Sequence, residues 1–81
     1  MQSASTPGKM WTALPSDNAS PLGTDVGLFD PAEFTFRVIA HYPDIRFTSD
    51  SMWVDEEGGF VYVADEVGLL RLPFGGVHPD R

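Results

Sequence analysis

The sequence predicts a mainly β protein, a small antiparallel meander of four to five strands preceded by an extended, irregular N-terminal arm. Three observations carry this. Short apolar runs rich in Val, Leu and aromatic residues occupy Met52–Asp55, Phe60–Asp65 and Leu69–Phe74. They are separated by Glu56-Glu57-Gly58-Gly59 and Glu66-Val67-Gly68, whose glycines suit hairpin connections. Prolines at 7, 15, 21 and 31 lack an N–H and have a fixed φ, which reads against a helix or central strand in the first third of the chain.

Taken in order, residues 1–33 are mostly Ser, Thr, Pro, Gly, Ala, Asp and Asn and form the arm. Its apolar residues are sparse, with Met10-Trp11, Leu14, Leu22, Val26 and Leu28-Phe29 separated by polar spacers. A disordered tail carries fewer large apolar groups, whereas an arm laid across another protein needs a few anchors. Trp11 has two readings: it folds back over the aromatic face of the meander, or it anchors the arm on a partner. Asn18-Ala19-Ser20 matches a glycosylation acceptor only as a pattern, with no export signal before it. Asp30-Pro31-Ala32-Glu33 could cap one helical turn and marks the arm's end.

A β-domain follows at residues 34–74. Phe34–Ala40 alternates as a strand, with Phe34, Phe36, Val38 and Ala40 on one face and Thr35, Arg37 and Ile39 on the other. His41-Tyr42-Pro43-Asp44 is a turn, and Ile45–Thr48 is a fifth strand or a crossing segment. Ser49-Asp50-Ser51 breaks the chain before the meander. An even-length Gly58-Gly59 loop puts Met52 and Val54 on the same face as Val61 and Val63. A two-residue turn at Val67-Gly68 sets Val63 opposite Leu72 and adds Leu70 and Leu72 to that face. The second face, with Trp53, Asp55, Phe60, Tyr62, Ala64, Leu69 and Arg71, is expected to be covered by the arm, by the Phe34–Ala40 strand or by another chain. Residues 75–81, rich in Gly and Pro, form a flexible tail.

The chain has 81 residues and no cysteine, so neither disulfides nor thiolate metal sites support its small core. A net charge of −7 argues against nucleic acid or an anionic membrane as ligand. The start lacks the basic and apolar regions of a signal peptide, and no apolar run reaches membrane-span length. A cytoplasmic or intracellular setting, a virion included, is the expectation.

Chemical motifs are sparse. The acidic groups at Asp50, Asp55-Glu56-Glu57 and Asp65-Glu66 lack the alternating oxygen ligands of a calcium loop, and carboxylates around a Gly-Gly turn ordinarily solvate it. His41 and His78 accompany several serines but no nucleophile elbow, and neither glycine pair follows a phosphate-binding pattern. No catalytic residue, metal ligand or cofactor is assigned, and the chain is expected not to be an enzyme.

The stretch MWVDEEGGFVYVADEVGLLRLPF resembles one blade repeat of NHL-type six-bladed β-propellers, in which an apolar-Val-Asp run, a glycine turn, a Val-Tyr-Val-Ala-Asp strand and an Arg-bearing last strand recur. The resemblance covers Ser51–Phe74 and occurs in one copy. Where those repeats place an Asn-rich turn and an Arg-Val pair, this chain has Glu66-Val67-Gly68-Leu69-Leu70. It implies a meander and no active site.

Size points to function. Roughly 45 ordered residues bury too little apolar area to exceed an ordering cost of about 1.5 kcal/mol per residue by much. The expectation is therefore a non-enzymatic assembly or interaction protein, docked on a protein partner or neighbouring subunit through Trp11, Leu14, Leu22, Leu28, Phe29, Trp53, Phe60 and Tyr62. Small virion decoration and adaptor proteins share this layout. The alternative is an acidic inhibitor or nucleic-acid mimic bound to a basic site on an enzyme.

Overall fold

The chain forms seven strands in a computed structural model that describes residues 2–16, 23–64 and 68–74. Strands β1 (Gln2–Ser3), β2 (Met10–Pro15), β3 (Thr24–Asp30) and β4 (Thr35–Tyr42) make one antiparallel sheet in sequence order. A single 3-10 turn at Ser49–Ser51 leads into β5 (Met52–Asp55), β6 (Phe60–Ala64) and β7 (Leu69–Pro73), a second antiparallel sheet. The mainly β, antiparallel expectation holds, and the three-strand meander lies where the apolar runs place it.

Within that class, the irregular arm needs correction. Residues 10–15 and 24–30 are strands, and β3 is central, paired with β2 on one side and β4 on the other. No boundary at residue 33 separates an arm from a domain, because the β3–β4 hairpin spans it. The prolines permit this by their positions. Pro15 is the last residue of β2 and Pro31 opens the turn after β3, so neither removes a hydrogen bond from a ladder interior. The spaced apolar residues are strand alternation. Trp11 lies opposite Leu28 and Ala13 opposite Val26, and all four turn toward the core.

β4 departs from simple alternation through a bulge opposite Val26/Gly27. The register passes from Gly27↔Val38 to Val26↔Ala40, leaving Ile39 as the extra residue, so Phe36 and Val38 share the outer face while Ala40 and Tyr42 turn inward. Phe34 is not in the strand but in the preceding turn. Gly27 is what admits the bulge, since a Cβ there would lie 2.0 Å from the Arg37 carbonyl oxygen. Asp30 Oδ1 accepts from the N–H groups of Ala32 (3.0 Å) and Glu33 (3.3 Å), tying a turn rather than a helix.

Ile45–Thr48 is the crossing segment. The Thr24 hydroxyl, fully buried, donates to Ile45 O at 2.7 Å and accepts from the Phe47 N–H at 3.1 Å, pinning the crossover above the core. In the meander, Met52 pairs with Val63 and Val54 with Val61, as the even loop requires. Across β6 and β7 the register is Val63↔Leu70 and Val61↔Leu72, two residues from the expected pairing. Such a shift leaves every side chain on its predicted face, so the apolar pattern could not reveal it.

The two sheets pack through these faces. Trp11, Ala13, Val26, Ala40, Tyr42 and Phe47 meet Met52, Val54, Val61 and Val63. Val26, Val61 and Val63 are fully enclosed, each contributing about 1.5–3 kcal/mol by burial. Side chains close both seams between the sheets. The Gln2 carboxamide donates to Val54 O and accepts from Val54 N–H, each at 2.8 Å, and the Tyr42 hydroxyl donates to Pro73 O at 3.1 Å.

Candidate interaction surface

With the first sheet seated on the Met52/Val54/Val61/Val63 face, strand alternation leaves the other face of the meander outward. Its cross-strand rows are Trp53–Tyr62–Arg71, Asp55–Phe60–Pro73 and Ala64–Leu69. Trp53 is 64% exposed and Leu69 73% exposed. The expectation that the arm or the Phe34–Ala40 strand covers this face is overturned. Those residues belong to the sheet that packs against the opposite side, where ten buried residues already interlock.

The exposed face is internally ordered. The Arg71 guanidinium carbon sits 4.6 Å from the centre of the Phe60 ring, a cation–π arrangement, and the Phe60 and Tyr62 rings are 6.5 Å apart. Asp55 Oδ1 accepts from Gly58 N–H at 3.0 Å, so this carboxylate fastens the hairpin that ends the face. Trp53, Phe60 and Tyr62 are thus brought together as a surface. Leu69 and Arg71 complete it, and only the β6–β7 register assigns them to particular rows.

The remaining predicted anchors divide. Trp11 is buried and stacks on Phe74 with ring centres 5.7 Å apart. It therefore folds back, but onto the apolar face of the meander rather than the aromatic one. Leu28 packs half-buried against the same core. Leu14 and Phe29 point the other way. With Thr12, Phe34, Thr35 and Phe36 they line a groove of about 400 Å³ on the outer face of the first sheet. Leu22 lies outside the described residues, as do Asp65, Glu66 and His78.

Among the described residues, three ionisable groups are perturbed. Burial pushes the Tyr42 hydroxyl up to about 12. Asp30 is held below the ordinary carboxylate value, first by Lys9, whose Nζ lies 3.0 Å away. Glu56 is lowered first by the Trp11 indole and then by Ser5, whose hydroxyl and N–H donate to it at 2.7 and 2.9 Å. Trp11 Nε1 itself is buried without a partner at hydrogen-bonding geometry, so its pull on Glu56 is that of a nearby dipole and not of a formed bond.

The fold also assembles a cluster that sequence spacing did not reveal. Ser16 Oγ lies 3.0 Å from Asp25 Oδ1 and 3.2 Å from His41 Nδ1, while His41 Nδ1 lies 2.6 Å from the same Asp25 oxygen. Asp25 and His41 are register partners, which accounts for their meeting. One imidazole nitrogen serves both neighbours. A relay would need the serine on one nitrogen and the carboxylate on the other, so this arrangement ties β2, β3 and β4 together and does not activate Ser16. Among the described residues no group of three or more His, Cys, Asp or Glu gathers to hold a metal ion, and no helix is long and apolar enough to cross a membrane.

Comparison with protein families, with curated proteins and with solved structures finds no match to this chain.

Proposed function

We propose that the protein is a non-enzymatic interaction protein that docks on a protein partner through the outer aromatic face of β5–β7, with Trp53 as its anchor. The observation that carries this is Trp53 itself, 64% exposed on a regular strand beside Tyr62 and Phe60. A tryptophan held by paired backbone and surrounded by other aromatics is the type of residue that dominates binding energy when a partner desolvates it. Trp11 and Leu28 face inward, and Leu14 and Phe29 lie on the outer face of the other sheet, so these four do not join this surface.

Recovery of the native complex tests it, comparing the wild-type chain with Trp53→Ser by mass measurement of the intact assembly. The variant is expected to fold normally and to be recovered alone. Trp53→Ser chain retained in the same complex at the wild-type ratio would remove the proposal. Salt separates the acidic-mimic alternative. Apolar docking should change little from about 0.05 to 0.5 M salt, over which the screening length shrinks from roughly 14 to 4 Å, whereas a charge-driven mimic would lose most of its affinity.

A further inference from the structure

The four sheet edges are not equivalent. β1 is two residues long. β5 has the N–H and C=O of Val54 taken by the Gln2 carboxamide, and β7 ends at Pro73, which has no N–H and whose carbonyl accepts from Tyr42. β4 is the exception. It is eight residues long, contains no Pro and has Arg37 as its one fixed charge, and among the described residues pairs on one side only. Short length, proline, charge and side-chain cover are how proteins blunt an edge. The bulge at Ile39 limits the open stretch to Thr35–Val38.

The backbone polarity of that stretch follows from the ladder. Ala13 N–H turns away from β3 to Ser49 Oγ at 2.9 Å, so alternation across the sheet directs the N–H and C=O of Phe36 and Val38 away from β3. The side chains of these two residues lie on the outer face beside the Leu14/Phe29 groove. Phe34 leans over the same groove, its ring 5.9 Å from Phe29, edge to face.

Phe34 costs the free protein twice. Its φ is +56°, a left-handed conformation that disfavours a bulky residue by about 1–2 kcal/mol, and the residue is 83% exposed. Among the described residues, the edge-to-face contact with Phe29 is the ring contact that offsets part of this cost. Arg37, between Phe36 and Val38, is exposed and makes no ion pair among the described residues.

We propose that the open edge of β4 takes an extended strand from a protein partner. The strand pairs with the backbone of Phe36 and Val38, sets an apolar side chain in the groove under Phe34, and presents an acidic residue to Arg37. Backbone pairing supplies affinity in such strand addition, and alternate side-chain pockets supply specificity. The groove's lining carries no charge, which fits the apolar residues of the strand. The lone cation fits the acidic one between them. A second copy of this chain is the poorer occupant, because β4 itself offers Arg37 and no carboxylate to the opposing Arg37.

The probe is the peptide acetyl-Thr-Leu-Glu-Leu-Thr-amide, titrated into the full chain at about 0.15 M salt, where screening leaves only short-range charge contacts. Amide resonances of Phe36 and Val38 are expected to shift and those of Trp53 and Tyr62 to stay. Shifts confined to Trp53 and Tyr62 would overturn the proposal while leaving the aromatic docking face standing. N-methylation of either leucine removes a pairing N–H and should weaken binding about tenfold, while N-methylation of the glutamate, whose N–H points away, should change it by less than about twofold. Equal effects at all three positions would show that no strand is added. Replacing Glu by Lys in the peptide should weaken binding about fivefold; an equal or tighter Lys peptide would overturn the assignment to Arg37.

Phe34→Gly separates binding from folding. Glycine adopts positive φ without strain, so the free variant should melt no lower than wild type while binding the peptide about tenfold more weakly. Unchanged affinity would remove Phe34 from the site. Sedimentation of the chain alone should show a monomer; a dimer dissolved by the peptide would mean that the edge serves a second copy instead.

Discussion

Tyr42 shows how one residue links packing to pH. Its ring packs in the core near Phe47, with centres 6.2 Å apart, and its hydroxyl reaches across the seam to Pro73 O. Burial raises its pKa from 10.0 to about 12, because the phenolate would be desolvated there. The native state therefore holds this proton more tightly than the unfolded chain does. The resulting stability is complete below about pH 10 and is lost as pH rises toward 12. Tyr42→Phe should flatten that part of the stability profile, and losing the seam hydrogen bond should cost about 1 kcal/mol at neutral pH. Denaturant unfolding at pH 7, 9 and 11 checks both. A Tyr42→Phe chain with the wild-type slope between pH 9 and 11 would show that another group carries the alkaline loss.

At the scale of elements, the bulge in β4 is a device and Gly27 is its requirement. A methyl group at Gly27 would meet the Arg37 carbonyl at 2.0 Å, a contact with backbone that no rotamer change relieves. Gly27→Ala should lower stability by about 2–3 kcal/mol, within the range for overpacked sites, read as a lower denaturant midpoint with unchanged slope. A wild-type midpoint would mean that β3 and β4 can re-register without the bulge. This bulge also marks where the sequence stopped being legible. The meander could be read because Met52, Val54, Val61 and Val63 keep strict alternation between glycine turns. β2 and β3 could not, because small and polar residues fill half of their positions and prolines flank them, although Trp11, Ala13, Val26 and Leu28 hold the same period of two. The exposed aromatic face was legible as a grouping of Trp53, Phe60 and Tyr62. What lies over it was not, since coverage depends on which face the first sheet selects. The Ser16–Asp25–His41 cluster depended on the β2–β3 and β3–β4 registers together.

The molecule as a whole is two sheets whose edges are joined by side chains instead of by a continuous ladder. At one seam the partly buried link is a single residue's. Gln2 presents a donor and an acceptor to Val54 at 2.8 Å each, the pair of groups a neighbouring strand would offer, and Ser5 with Glu56 adds an exposed link beside it. The contact spans 52 positions in sequence, so it tethers the first strand of one sheet to the first strand of the other. Gln2→Ala leaves both Val54 groups to water at a partly buried site. It should cost about 1–2 kcal/mol and should open the β1–β5 seam before the rest of the sandwich. Amide exchange resolves the two effects. The Val54 N–H should lose most of its protection in Gln2→Ala, while Val61 and Val63, inside the second sheet, should fall only by the global loss in stability. Gln2→Glu separates the donor from the acceptor. It keeps the oxygen that accepts from Val54 N–H but sets a carboxylate against Val54 O, so it should destabilise at least as much as alanine at neutral pH and recover when the carboxyl is protonated near pH 4. Protection at Val54 that is equal in all three proteins would show that packing and the Ser5–Glu56 link hold the seam and that the Gln2 clamp is incidental.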